Sequence, residues 1–282
     1  MELKASDLDA RFQHILADCE PYLVTYPGNL SALDPAPFGF AIPEANIFDP
    51  TTLRSREVID CLHHLDAFSF GGQDMLMPRW VLFDCGEFPG MVYGFGKKAK
   101  DLDAEVREAY HLTDPAHDKT FVPLSMWVAL RCAEDGAWFG HNLSSANLVA
   151  VQNPWPGLAT ITKAFGVRLT KSTKQYGATQ WSSGSLNIHL SLGDMHLLCA
   201  YTPAHTHPET FAYRIDVDAE RLCAPLKPGW KRPNEGGDQH LDAGDSKSIR
   251  ELHKKIEAGA KHLLYRVERR PKAPQRLWLK DL

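Results

Sequence analysis

Residues 185–201 have the sequence SLNIHLSLGDMHLLCAY, and the expected fold class rests on this stretch. In its first eight residues Leu and Ile alternate with Ser, Asn and His, which is the period of a strand with one buried face. Gly193 and Asp194 then supply the two-residue turn of a tight hairpin, and a second apolar run extends to Tyr201. The stretch therefore predicts a β-hairpin within an antiparallel sheet.

Two further segments extend the predicted sheet. Residues 79–95 hold two apolar runs around a turn-rich centre, which predicts another hairpin, and residues 121–130 predict a strand. Residues 224–245 are rich in Pro, Gly and charge, which is typical of a long surface loop. We expect an α+β fold in one domain, residues 1–282, with a mostly antiparallel β-sheet or closed barrel in residues 79–218.

Helices are predicted on both sides of this sheet, in the N-terminal and the C-terminal parts of the chain. Residues 1–70 form a helical N-terminal region, because residues 6–19 and 55–67 carry apolar side chains at three- and four-residue spacing. Residues 157–171 follow two prolines and predict another helix. One apolar stripe runs through residues 248–270 and predicts a final helix that must cover a core.

The composition excludes several classes of protein. The chain has 282 residues, of which 44% are hydrophobic and 23% charged, values typical of a folded globular protein. A formal net charge of -4 gives no general attraction to nucleic acid, although Lys247 to Leu282 contain eleven Lys or Arg and four Asp or Glu. Neither a secretion signal nor a membrane-spanning stretch is recognised. We expect a cytoplasmic protein with a small-molecule substrate and with neither a nucleic acid nor a membrane as partner, and a homo-oligomer stays open.

Lysine side chains offer the first candidate chemistry. A lysine becomes a Schiff-base nucleophile only when an apolar pocket or a neighbouring cation lowers its pKa. Lys97 and Lys98 stand together at the end of an apolar run, and Lys163 lies inside another. Residues 94–99 resemble the Gly-Phe-Pro-Lys-Lys turn of the acetoacetate decarboxylase family, with Gly96 in place of the proline.

This resemblance implies a lyase that decarboxylates a keto acid through a lysine imine and needs no cofactor. Lys98 would form the imine and Lys97 would lower its pKa, while Lys163 is the other candidate nucleophile. His141 lies in a polar cluster beside aromatic residues and is a candidate proton donor. The candidate substrate contacts are Trp138, Asn142 and Ser144 of that cluster, together with Tyr213.

A histidine-rich segment favours a different enzyme. In an extended chain His205, His207 and Glu209 share one face and could bind a divalent transition metal. The segment resembles the first metal motif of the cupin family, with Tyr213 just beyond it. This alternative is a metal-dependent, cupin-like enzyme.

Two further alternatives stay open. The turn before the helix predicted in residues 157–171 contains Gly157-x-Ala159, which resembles the end of the coenzyme A loop in the GNAT acetyltransferases, with Pro154 where that loop has Gln or Arg. Amides at a helix start can bind a pyrophosphate, so this resemblance implies an acyltransferase. The second is a non-catalytic ligand-binding or interaction protein that uses Lys254 and Lys255 of the basic C-terminal segment.

Overall fold

The computed structural model describes residues 2–150, 152–231 and 239–282, which form two compact units. The first unit comprises the chain up to residue 132, residues 140–171 and residues 226–229. The second unit comprises residues 133–139, residues 172–225 and the chain from residue 230 onward. No helix among the described residues is long and apolar enough to span a membrane.

The first unit combines helices with a mostly antiparallel sheet. Its helices are α1 (Ala10–Asp18), α2 (Arg56–Phe70), α3 (Arg79–Glu87), α4 (Ala104–Ala109) and α5 (Leu158–Leu169). Its strands are β1 (Glu20–Val24), β2 (Ile47–Phe48), β3 (Gly90–Lys98), β4 (Phe121–Pro123), β5 (Ser125–Arg131) and β6 (Ala137–Ser145), the last from residue 140 onward. The strand order is β2-β1-β3-β5-β6, and β4 also pairs with β3. The β1–β2 pair is parallel, whereas β3 pairs with β1, β4 and β5 in antiparallel orientation.

The second unit also combines helices with mostly antiparallel strands. Its strands are β7 (Lys174–Gln180), β8 (Gly193–Cys199), β9 (Thr210–Val217), β10 (Gln239–Asp242), β11 (His262–Arg270) and β12 (Ala273–Asp281). Its helices are α6 (Leu186–His189), α7 (Ala219–Cys223) and α8 (Ser246–Glu257). The strand order is β7-β9-β8-β11-β12-β10.

These elements confirm the α+β class and the mostly antiparallel sheet, but not a closed barrel. Among the described residues, β2 pairs only with β1, and β10 pairs only with β12. A barrel closes only when its terminal strands pair with each other, so the strands of neither unit form a closed barrel.

Helix α5 confirms the helix expected in residues 157–171 and carries the core of the first unit. Its residues Leu158, Ile161 and Phe165 are fully buried at helical spacing, which places one apolar face against β3 and β5. The ring of Phe165 packs edge-on against Phe95 of β3, with centroids 5.7 Å apart.

The hairpin expected in residues 79–95 is wrong, because its first half forms helix α3. The buried residues of α3 are Leu82, Cys85 and Gly86, which have the spacing of a helix, whereas Trp80 is 65% exposed. A short apolar run fits the period of a helix as well as that of a strand, and in this segment the buried positions follow the helix.

The hairpin expected in residues 185–201 is also wrong. Residues 186–189 form the single turn α6, and β8 pairs with β9 instead. Leu186, His189 and Leu190 are buried, a spacing that fits a helix as well as the alternation fits a strand. Gly193 is needed for strand pairing rather than for a turn, since a Cβ there would lie 1.9 Å from the carbonyl oxygen of Asp216 in β9.

The helix expected in residues 248–270 ends early. Helix α8 stops at Glu257, because Gly259 adopts a φ of 95° that favours glycine and reverses the chain. The remaining residues form β11. Of the loop expected in residues 224–245, residues 232–238 lie outside the described residues and residues 239–242 form β10.

Candidate functional site

Lys97 and Lys98 do not form a reactive pair. They are consecutive in β3 and face Val122 and Phe121 of β4, so their side chains leave the sheet on opposite faces. The Lys97 ammonium donates a 2.7 Å hydrogen bond to Asp18 of α1. Lys98 is exposed to solvent. Lys98 therefore lacks the apolar surroundings that an imine lysine needs.

Lys163 is buried in α5, and its burial lowers the pKa of its amine well below the usual range. The Nζ atom lies 4.0 Å from the ring centroid of Trp127. A Cβ on Gly140 would approach both Nζ and the Trp127 Nε1 atom to 2.9 Å. The amine has the lowered pKa of a nucleophile, but the surrounding atoms leave no room for a keto acid.

The expected metal ligands do not converge on a common point. His205 is exposed, and its Nδ1 atom accepts a 2.9 Å hydrogen bond from the His207 amide. The Glu209 carboxylate accepts a hydrogen bond from Ser246 of α8. Among the described residues no group of three His, Cys, Asp or Glu could hold a metal ion. The expectation of a divalent metal cofactor at these residues is therefore wrong.

Three polar side chains of the first unit form a connected chain that reaches solvent at His141. Asp66 of α2 is fully buried, and its Oδ2 atom accepts a 2.7 Å hydrogen bond from the Met77 amide. Its Oδ1 atom accepts a 2.7 Å hydrogen bond from Nδ2 of Asn142 in β6. The Asn142 Oδ1 atom lies 2.7 Å from Nδ1 of the exposed His141.

This chain fixes the proton on the His141 ring. Burial raises the pKa of Asp66, yet both of its oxygens face donors, so the carboxylate acts as acceptor. Asn142 must then turn its amino group to Asp66 and its oxygen to His141. The His141 Nδ1 atom consequently carries the hydrogen, and the lone pair lies on Nε2. Such an oriented imidazole can accept a proton from a substrate.

The other predicted substrate contacts are buried. Ser144 lies near the end of β6, and its buried hydroxyl has no hydrogen-bond partner in the described part of the chain. Trp138 is 5% exposed and belongs to the second unit. Tyr213 of β9 is also in the second unit, where its ring packs against Gly177 and Phe211. Asn142 and Ser144 thus share a strand with His141. The roles of Trp138 and Tyr213 as substrate contacts remain predictions.

A rigid turn leads from β6 into α5. Gly157 precedes the helix with a φ of 88°, a left-handed conformation that favours glycine, and a Cβ there would lie 2.8 Å from the Phe12 ring. The Nδ2 atom of the Asn147 side chain donates a 2.6 Å hydrogen bond to the Trp155 carbonyl. The Trp155 indole donates to the Asp18 carboxylate at 2.8 Å. The turn is therefore held by side chains on both sides.

The start of α5 offers positive potential. No side chain caps the helix, and its first turn carries no acidic residue. The amides of Leu158 and Thr160 bond to turn carbonyls, whereas the Ala159 amide has no acceptor within the described ranges. The Arg11 side chain lies beside the turn, its Cδ 3.6 Å from a Cβ built on Gly157. The unpaired Ala159 amide, the helix dipole and the Arg11 guanidinium, which also pairs with Asp9 at 3.5 Å, together favour an anion.

The nearby carboxylate of Asp18 does not oppose that anion with a free charge. Burial alone would raise its pKa, but hydrogen bonds from Lys97 and Trp155 outweigh burial and hold the pKa below its usual value. The Lys97 ammonium neutralises the carboxylate at 2.7 Å. The turn, its brace and Arg11 form what we call the α5 turn site, defined by Arg11, Asp18, Trp155, Gly157 and Ala159.

Sequence reasoning singled out part of these arrangements. The polar cluster of His141, Asn142 and Ser144 and the Gly157-x-Ala159 turn were predicted from their own residues. Asp66 was missed because it lies 76 positions from Asn142, and Arg11 was missed because its helix carries no motif. The only sign of Asp66 in the sequence is a carboxylate on the apolar side of a predicted helix.

No family model matches the chain, and no curated protein matches it. Three solved structures are similar in part. A chain of the NatC complex bound to Gag peptide and CoA has 12% identity and a TM-score of 0.38, covering 60% of this chain and 97% of that one. Diaminobutyrate acetyltransferase EctA from Paenibacillus lautus, in complex with its substrate and coenzyme A, has 11% identity and a TM-score of 0.36, covering 56% and 89%. A protein assigned as an acyl-CoA N-acyltransferase from Klebsiella pneumoniae has 11% identity and a TM-score of 0.31, covering 60% and 93%.

The expectation of an acetoacetate decarboxylase-like lyase is wrong, as is that of a cupin-like enzyme. The geometry gives the physical reasons. Lys97 and Lys98 lie on opposite faces of the sheet, and Lys163 is closely packed. The side chains of His205 and His207 do not converge on a common metal position. The expectation of catalysis without a cofactor depended on the lysine imine and is withdrawn with it.

Proposed function

We propose that this chain is a GNAT-like acyltransferase that moves an acyl group from a coenzyme A thioester to a small nucleophile such as an amine. The observation that carries the proposal is the α5 turn site. There a glycine in the left-handed region opens a 12-residue helix, and the first turn of that helix has no acidic or capping side chain. Such a helix start suits a bound pyrophosphate.

The residues of the α5 turn site fit the coenzyme in charge and in hydrogen bonding. The Ala159 amide would donate to a phosphate oxygen, and the Arg11 guanidinium would supply a balancing charge. Asp18, already paired with Lys97, would hold Trp155 and thereby the turn. The proline at position 154 removes one amide, so the proposal relies on the Ala159 amide.

His141 would serve as the general base. Coenzyme A supplies an acyl group activated as a thioester. His141 Nε2 would take the proton that the acceptor nitrogen loses as this nitrogen bonds to the acyl carbon. The acyl–sulfur bond would then break, and the leaving thiolate would take up a proton, which His141 can return. Asn142 and Asp66 hold the imidazole in the tautomer that can accept this proton. His141 lies four residues before the end of β6, about 13 Å along the strand from its last residue.

The test is binding of coenzyme A to the full chain by isothermal titration calorimetry. The wild type is expected to bind, and Ala159→Glu is expected to weaken binding at least tenfold because it places a carboxylate among the phosphate-binding amides. The same carboxylate suits a helix start, so Ala159→Glu should keep or increase the melting temperature. Loss of affinity without loss of stability separates a binding effect from unfolding.

Ala104→Glu is the matched control. It makes the same change in charge in the first turn of α4, where Ala104 is exposed. Its affinity for coenzyme A should equal that of the wild type. Absence of wild-type binding at millimolar coenzyme A, or equal weakening in both variants, would overturn the proposal.

A further inference from the structure

A cavity in the second unit is a separate candidate for ligand binding. Its volume is about 920 Å³, within the range of small-molecule pockets. Its walls come from β7, the segment after β8, α8 and the β11–β12 hairpin, and His207 and Glu209 lie at its edge. All of these elements belong to one compact unit.

The cavity wall carries more positive than negative side chains. Arg250, Arg269 and Arg270 line it, against the single lining carboxylate of Glu209. Arg270 pairs with Asp242 at 2.8 Å. Arg250 and Arg269 have no carboxylate partner in the described part of the chain.

The aromatic walls are rigid. Trp181 is 1% exposed and stacks on Phe211 with centroids 4.1 Å apart, and its indole donates to the Ala200 carbonyl at 2.8 Å. The Arg250 guanidinium lies over the Tyr201 ring, 5.3 Å from its centroid. A flat apolar group could lie against the Tyr201 side of the cavity beside that guanidinium.

Arg269 is held in place although it is exposed. Its guanidinium donates a 2.6 Å hydrogen bond to the Gly184 carbonyl, which leaves its other N–H groups for a ligand. Arginine binds carboxylates and phosphates through two parallel N–H bonds, so both anions suit this wall.

We propose that this cavity binds a small organic anion with a flat apolar body and a phosphate or carboxylate group, held by Arg250 and Arg269. The inference does not depend on the proposed acyl transfer, because the α5 turn site lies in the other unit. Glu209 also lines the cavity and would repel a second anionic group, which favours ligands with one charged end.

The test measures binding of phenyl phosphate, benzoate and inorganic phosphate to the full chain by calorimetry. Phenyl phosphate or benzoate should bind more tightly than inorganic phosphate, and the tighter of the two identifies the anionic group. The double variant Arg250→Gln/Arg269→Gln should weaken binding of that ligand about tenfold or more, the effect of a lost charged hydrogen bond.

Arg266→Gln is the control for this double variant. Arg266 is on the same strand as Arg269. Like Arg250, it lies over an aromatic ring, 5.4 Å from the centroid of Trp278, but it does not line the cavity. Its affinity for the ligand should be unchanged. No binding of phenyl phosphate or benzoate by the wild type, equal loss in the control, or equal affinity for inorganic phosphate would each overturn the proposal.

The two proposals fail independently. The double variant Arg250→Gln/Arg269→Gln should bind coenzyme A as the wild type does, and Ala159→Glu should bind the organic anion as the wild type does. Loss of coenzyme A binding in the arginine variant would place the coenzyme in this cavity and overturn the separation of the two sites.

Discussion

The orientation of one amide decides what His141 can do. Asn142 carries no charge, but the buried carboxylate of Asp66 dictates which end of its amide faces the imidazole. We expect His141→Gln to lower kcat by about 10²- to 10⁴-fold, the range that a general base contributes. Coenzyme A affinity should stay unchanged. Stopped reactions that measure released thiol from acetyl-coenzyme A would show the change, and a His141→Gln variant with normal kcat would exclude His141 as the base.

Asn142→Leu tests the positioning role separately. The variant keeps the imidazole but removes its acceptor, so the ring can adopt either tautomer. We expect kcat to fall less than in His141→Gln, and the pH at which the rate reaches half of its maximum to shift. A merely structural role for Asn142 would change stability without moving the pH–rate profile, which distinguishes the two cases.

Lys163 gives a prediction about stability rather than catalysis. Burial lowers the pKa of its amine, so in the alkaline range the unfolded chain binds one proton more than the folded chain. The free energy of unfolding of the wild type should therefore rise with pH by up to about 1.4 kcal/mol per unit, until the usual lysine pKa near 10.4 is reached. Lys163→Met should lack this slope.

Urea denaturation of both proteins at several alkaline pH values measures the difference. At neutral pH Lys163→Met should be the more stable protein, and the advantage should shrink as pH rises. The exposed Lys100 provides the control, because Lys100→Met should leave the slope of the wild type intact. A constant difference between wild type and Lys163→Met across the range would show that the buried amine keeps its usual pKa.

The sequence could predict the environment of a side chain where that environment is formed by its neighbours along the chain. Lys163 stood inside an apolar run, and His141 and Asn142 stood beside aromatic residues, so their environments were visible locally. The role of Asp66 depends on a hydrogen bond across 76 positions, and the opposite faces of Lys97 and Lys98 depend on a strand that continues through both. Distances of this kind are set by tertiary packing and have no local signature.

At the scale of elements, helices α2 and α5 were predicted and short apolar runs were not, and the long apolar stripe in residues 248–270 forms a helix only as far as Glu257. Helices α2 and α5 have several turns, and their apolar spacing distinguishes a helix from a strand. Helices α3 and α6 have few residues, and over four to nine residues both periods fit the same apolar positions. Pairing then decides, as in β8, whose Gly193 allows the close approach of β9.

The brace between α1, β3 and the α5 turn gives an element-scale prediction. Asp18→Asn removes the charged partner of Lys97 but keeps an oxygen that can accept from Trp155. We expect a loss of about 1–2 kcal/mol in the free energy of unfolding at neutral pH, the range for a charged hydrogen bond. Because the pKa of Asp18 is held below its usual value, this contribution is present above about pH 4 and is lost as pH falls through the folded-state pKa.

Denaturation of wild type and Asp18→Asn at neutral and acidic pH checks both parts. The two proteins should approach equal stability in acid. Asp118→Asn is the comparison, since Asp118 pairs with Arg107 at 2.8 Å but is 42% exposed, and an exposed pair contributes about 0–1 kcal/mol. An effect of Asp18→Asn no larger than that of Asp118→Asn would mean that the brace does not hold the turn.

At the scale of the whole molecule, the two units interleave along the chain in a way that composition does not reveal. Residues 226–229 belong to the first unit although the chain on both sides of them belongs to the second. One contact of this segment within the first unit is a 2.8 Å hydrogen bond from the Asp9 amide to the Leu226 carbonyl. No shift in charge or hydrophobicity marks this exchange, so a single domain was the simplest expectation.

The two candidate sites can be located together by hydrogen–deuterium exchange on the full chain. Backbone amides exchange more slowly where a ligand orders them or accepts their hydrogen bonds. Coenzyme A should slow exchange in residues 155–160, where the Ala159 amide would bind phosphate. The better of phenyl phosphate and benzoate should instead slow exchange in residues 181–184 and 269–275. Coenzyme A that protected residues 269–275 but not 155–160 would contradict the α5 turn site, and a shared pattern for both ligands would contradict two independent sites.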